Sequence, residues 1–242
     1  TRYLSHTMHY AALATGDGTN RPFELVVRED DLTPPPAGFG KVRIGHLAPF
    51  TSSLAATAAD VRTQDGALIV GPVPFGTIAS FSPYTATTYD LKVTAPGGMP
   101  ALIDPMPQAV GDGDIVSIFA VGGAQQPLGI FLLPAGAPGE LVDLAANVQN
   151  AHLAPFAMGA GSAVSITVNN ETVRTDVRFA DSTGYLPVKA GPTVIEVIPA
   201  GASSEAMSAT RYLSHTMHYV ALATGDGTNR PFELVVREDD LT

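Results

Sequence analysis

Apolar side chains in this chain come in short runs, each soon interrupted by Gly, Pro, Asn or Asp. The runs are rich in Val, Ile, Thr, Phe and Tyr, a composition that favours strands over helices. Phe232, Leu234 and Val236 alternate with Glu233, Val235 and Arg237, the period-two signature of a half-buried strand. The ATGDGTNRP segment before it offers Gly and Asp for positive φ, so a hairpin is expected there. The same reading predicts strands at 148–153, 163–168, 183–188, 193–198, 216–223 and 231–237. An earlier set is predicted at 42–47, 58–63, 79–84, 88–94, 113–121 and 127–133. No segment has a convincing helical period. The expectation is an all-β chain of immunoglobulin-like sandwiches, six or seven strands to about a hundred residues.

Two internal repeats organise these strands. Residues 1–33 return at 210–242 with 32 of 33 positions identical, Ala11 becoming Val220. A weaker repeat relates VRIGHLAPF at 42–50 to VQNAHLAPF at 148–156, after which Phe75 meets Phe179, Pro83 meets Pro187 and Val93 meets Val197. The predicted organisation is a closing hairpin of a preceding B-type module (1–33), a Pro/Gly linker (34–40), module A (41–134), a linker (135–146) and module B (147–242). The 209-residue spacing suits a window cut from a tandem array, with the Ala/Val difference marking natural copies that have drifted.

Val42, Arg43, His46 and Pro49 carry a VR-x-x-H-x-x-P opening. Tyr185, Leu186, Pro187, Val188, Ala190 and Gly191 precede Val197, Pro199, Ala200 and Gly201 in a Y-x-P-V-x-A-G to V-x-V-x-P-A-G order. This order resembles the domain-of-unknown-function family 4397, found in exported bacterial and archaeal proteins, often as repeats. Module A departs from it, with SPYTATTYDLKVTAPGG in place of YLPVKAGPTVIEVIPAG. The resemblance implies two diverged copies of a secreted, sandwich-like building block and implies no catalytic chemistry.

Composition narrows the function classes. With 13 Lys+Arg against 23 Asp+Glu, the chain carries a net charge of −10, wrong for gripping a phosphate backbone, so no nucleic-acid partner is expected. It has no cysteine, which excludes disulfides, thiol nucleophiles and Cys-based zinc sites. The most apolar stretch, 115–134, is broken by Gly122, Gly123, Gln125, Gln126 and Pro127, so no membrane-spanning helix is expected. The first residues have neither a basic nor an apolar leader region. The chain reads as a piece of something longer, with an extracellular or cell-surface location following from the family resemblance.

Candidate chemistry is thin. His6 and His9, repeated as His215 and His218, form H-x-x-H, but on a strand residues three apart face opposite ways. Ser5–His6 and Ser214–His215 lack a GxSxG elbow. His46 and His152 recur at one position and read as structural, each ring bonding a backbone group. REDDLT at 28–33 and 237–242 lacks calcium-loop spacing and reads as solvated charge. No catalytic residue, metal or cofactor is expected, and the chain is read as no enzyme.

The remaining signal is self-association. The hairpin in residues 1–33 would leave Tyr10, Leu13, Phe23, Leu25 and Val27 without a core, because module B already has its own. Leu128 to Leu133 is apolar on both faces, so Phe131 and Leu133 are expected to meet another module or subunit. The expected function is a filament or stalk subunit whose partners are copies of itself. They would join head-to-tail by strand addition to a neighbour's sheet, or as a continuous array in which the hairpin belongs to the preceding repeat. The alternative is a surface-displayed module binding an unidentified glycan or matrix ligand.

Overall fold

A computed structural model describes residues 4–5, 8–53, 56–123, 126–156 and 163–241. His6 of the H-x-x-H pair and Thr242 of the acidic terminus lie outside these. The described residues form strands and turns with no helix, an all-β sandwich architecture. The chain divides into two compact units after Val142.

The second unit pairs two four-stranded sheets. One runs Ser182–Lys189, Ala145–His152, His218–Thr224, Glu233–Asp239; the other runs Glu171–Val177, Val164–Val168, Gly191–Pro199, Met207–Leu213. Ala145–His152 lies parallel to His218–Thr224 and antiparallel to Ser182–Lys189. Between the sheets Val148, Val164, Ile195, Leu213, Tyr219 and Ala221 are buried in one core. Sequence pattern missed two strands here. Glu171–Val177 has polar residues at most positions and buries only Val177. Its pairing is set instead by Asn169 and Asn170, whose φ values of 49° and 68° suit a tight hairpin turn. Met207–Leu213 buries only its two ends, Met207 and Leu213, so no alternation announces it.

The first unit repeats the plan less regularly. Its five-stranded sheet runs Glu140–Leu141, Gly129–Pro134, Ile115–Val121, Phe39–His46, Ser82–Thr85, and its four-stranded sheet runs Leu68–Val73, Ala59–Thr63, Leu91–Thr94, Ala101–Ile103. The strand expected at 88–94 is interrupted at Asp90, leaving Thr87–Tyr89 paired with Gln108–Val110 as a separate ribbon. Opposite the break stand Pro105 and Pro107, which have no N–H to give a ladder. The stretch 135–146 is not all linker, since Glu140–Leu141 pairs with Leu132 and Phe131 and a new strand starts at Ala145. His9–Thr15 and Glu24–Asp30 pair only with each other among the described residues, so the hairpin joins no larger sheet within its unit.

Candidate functional site

The hairpin begins with its turn, which is encoded locally. Asp17 Oδ1 accepts the N–H groups of Thr19, Asn20 and Arg21 at 2.7–3.0 Å, while Asn20 Nδ2 donates to Oδ2. Asp226 does the same for Thr228, Asn229 and Arg230. These donors, the Asn229 side chain foremost, hold the Asp226 carboxyl well below the usual carboxylate range. Gly16 and Gly225 start the two turns at φ +90° and +96°, where a Cβ would lie 2.1 Å from the Pro22 or Pro231 carbonyl oxygen. The same turn forms in two surroundings because its bonds are internal.

The surroundings differ by a whole face. Pairing places Tyr10, Ala12, Ala14, Leu25 and Val27 on one side of the first hairpin, and Ala11, Leu13, Thr15, Val26 and Asp30 on the other. In the second unit the equivalents of the first set are core: Tyr219, Ala221, Ala223, Leu234 and Val236 are all buried. In the first unit the faces are exchanged. Ala11 and Thr15 are buried, whereas Leu25 is 67% exposed against 8% for Leu234, and Phe23 is 79% exposed. Tyr10, Leu13 and Val27 are half-buried. The hairpin residues singled out from sequence are therefore split between faces, Leu13 pointing the opposite way from Tyr10, Leu25 and Val27.

Polar contacts tie the hairpin to the five-stranded sheet of its own unit. Arg43, only 2% exposed, forms a 2.7 Å ion pair with Asp30 and donates from Nε to Ser117 Oγ at 3.0 Å. Its guanidinium lies 4.5 Å from the Phe81 ring centroid. Lys41 Nζ reaches Asp31 at 2.8 Å. That hydrogen bond, with those from Thr33, holds the Asp31 carboxyl down at about 2. At the turn, Arg21 donates to the Ser52 carbonyl at 2.8 Å and stands over Phe75.

Ladder pairing puts Arg43, Ser117, Phe119, Phe131 and Leu133 on one face of that sheet. Phe119 is buried against Gly45, where any Cβ would fall 2.5 Å from the ring. Leu133 and Ser117 share a hollow of about 420 Å³ with Ala11, Asp30 and Phe81. Phe131 is half-buried with its ring tip against Gly139. In the second unit Gln149 occupies the Arg43 position, and Asp239, the counterpart of Asp30, accepts a hydrogen bond from Tyr185. In the sequence Arg43 figures only within the VR-x-x-H-x-x-P opening, which assigns it no partner. Its signal was the Arg43-to-Gln149 difference, one of three between VRIGH and VQNAH and the one that removes a charge.

The recurrent histidines are structural in geometry. His46 Nε2 lies 2.5 Å from the Thr57 carbonyl oxygen, and burial pushes its pKa down. His152 stacks on Phe156 at 5.4 Å. His9 is exposed, and His218 meets the Tyr185 ring edge-on. Among the described residues no three His, Cys, Asp or Glu side chains cluster as metal ligands would, and no helix is long and apolar enough to cross a membrane.

These features define a repeat-containing β-sandwich protein in whose first unit a hairpin is tied by Arg43 and Lys41 to the five-stranded sheet. Residues 146–242, which lie in the second unit, match the family described as "Domain of unknown function (DUF4397)". No curated protein matches the chain.

Proposed function

We propose that the chain is a structural, non-catalytic subunit of an extracellular or cell-surface filament or stalk, built from tandem sandwich modules. The observation carrying this reading is the hairpin that buries opposite faces in its two copies. A segment apolar on both sides, used once as core and once as cover, is suited to lie between two modules. One face would complete a B-type sandwich, and the other would seat on the Arg43–Phe119 face of the A-type module that follows. Arg43 and Lys41 supply the charges that Asp30 and Asp31 neutralise, and the B-type counterparts Gln149 and Asn147 do not. The joint thus discriminates B-to-A from B-to-B contacts. The extracellular placement rests on the likeness to exported repeat proteins.

Light scattering and electron microscopy over a concentration series test self-association. The expected result is end-to-end particles that lengthen with concentration and are abolished by Leu25→Asp, with the circular dichroism spectrum unchanged. A chain that stays monomeric at every concentration overturns the self-assembling form, as does a variant that assembles undiminished.

A further inference from the structure

Within the first unit, apart from the docking face, the two sheets enclose an apolar slot of about 110 Å³. Ile44, Ile118 and Ile130 line it from one sheet, and Ala59, Val61 and Val93 from the other. The second unit has a hollow at the equivalent place, beside His152, Ile166, Val197 and Leu234, of only about 10 Å³. Two built differences account for this. Ala59 and Val61 stand where the second unit has the larger Val164 and Ile166. The paired strands that run unbroken as Gly191–Pro199 and Met207–Leu213 are interrupted in the first unit, and Tyr89, Leu91, Pro105 and Gln108 rim the slot beside that gap. The departure of 82–98 from the family pattern falls on this same border. The polar side chains of Tyr84, Tyr89, Lys92 and Gln108 also border the slot, as does that of His46. His46 Nε2 is engaged by Thr57, while its buried Nδ1 has no hydrogen-bond partner.

We propose that this slot is a binding site for a small neutral apolar molecule, a single aromatic ring or a short alkyl chain, entering at the interrupted ladder. Dry apolar cavities of about 150 Å³ accept benzene, so the volume suits a ligand of that scale and no larger. The lining lysine, Lys92, has its ammonium on the Gln64 carbonyl at 3.0 Å, and the remaining lining is overwhelmingly apolar, so a neutral ligand is favoured over a charged one. A hydroxyl on the ligand would give His46 Nδ1 the donor it lacks, so phenol should bind more tightly than toluene. This assignment is independent of the filament reading, since the slot lies between the sheets and the docking face lies outside them.

The test is a titration of the 242-residue chain with toluene and with phenol, followed by methyl resonances of Ile, Leu and Val. Saturable shifts confined to Ile44, Val61, Val93, Ile118 and Ile130 are expected, with phenol the tighter ligand. The double variant Ala59→Val with Val61→Ile, which installs the second unit's own residues, should weaken both ligands at least tenfold while the melting temperature holds or rises. Non-saturable shifts, equal shifts at Ile166 and Val197, or undiminished binding by a folded double variant would each overturn the proposal.

Discussion

Arg43 is the residue on which the first unit's docking face turns. A buried guanidinium needs a countercharge, and Asp30 supplies it from the hairpin at 2.7 Å. Asp30→Asn should therefore cost about 1.5–3 kcal/mol in urea unfolding of the first unit, the range for hydrogen bonds to charged groups. Asp239→Asn, the same change in the second unit, should cost less, because an amide oxygen can still accept from the Tyr185 hydroxyl and no buried cation loses its countercharge. His46 adds a pH dependence. Its folded-state pKa lies below the ordinary value of 6.5 because burial disfavours the charged ring, with the Thr57 carbonyl opposing the effect. Its contribution to stability is complete above about pH 6.5 and is lost as the pH falls through the folded value. Melting of the first unit should thus drop on acidification below pH 6.5, and His46→Gln should flatten that slope. A slope unchanged in the variant would assign the dependence to other groups.

At the scale of elements, one hairpin sequence meets two packing problems. Its Asp-centred turn and strand register are the same in both copies: Leu13 opposes Val26 as Leu222 opposes Val235. What changes is the face that finds apolar neighbours. Burying a Leu fully is worth about 1.5–3 kcal/mol, and removing it from a core adds a cavity cost. Leu234→Ala should therefore destabilise the second unit by about 2–5 kcal/mol. Leu25→Ala, the identical change 209 residues earlier, should fall within about 0.5 kcal/mol of zero. Thermal or denaturant unfolding of the two single variants reads the contrast directly. With the chain dilute enough to be monomeric, comparable losses would mean that the Leu25 face is covered within a single chain.

Across the whole molecule, the two faces of one hairpin predict a joint between repeats. A polypeptide in which residues 34–142 follow residue 242 would place a second A-type module behind the B-type hairpin, as 34–142 follow residue 33. In that molecule the second Arg43 should draw Asp239 away from Tyr185, and exchange of backbone amides at Val220, Leu222 and Thr224 should slow relative to the 242-residue chain. A double-mutant cycle between Asp239 and the second Arg43 should give a coupling of about 1 kcal/mol or more. No coupling would remove the B-to-A joint.

The all-β class, six of the eight strands of the second unit, the hairpin turn and both repeats were legible from residues alone. Period-two alternation and Gly/Asp turn chemistry are local properties, expressed wherever the segment sits. The polar strand Glu171–Val177 was not legible, since its place is fixed by the Asn169–Asn170 turn and by its neighbour Val164–Val168 rather than by its own apolar face. Nor were the break at Asp90 and the slot beside it, because a void is the difference between two facing surfaces and no single strand records it. Sequence identified Leu25, Val27, Phe131 and Leu133 as apolar residues in need of cover. Only the tertiary structure decided which were covered and from which side. A strand apolar on both faces states that two partners are needed, and the geometry of packing alone selects which face each partner receives.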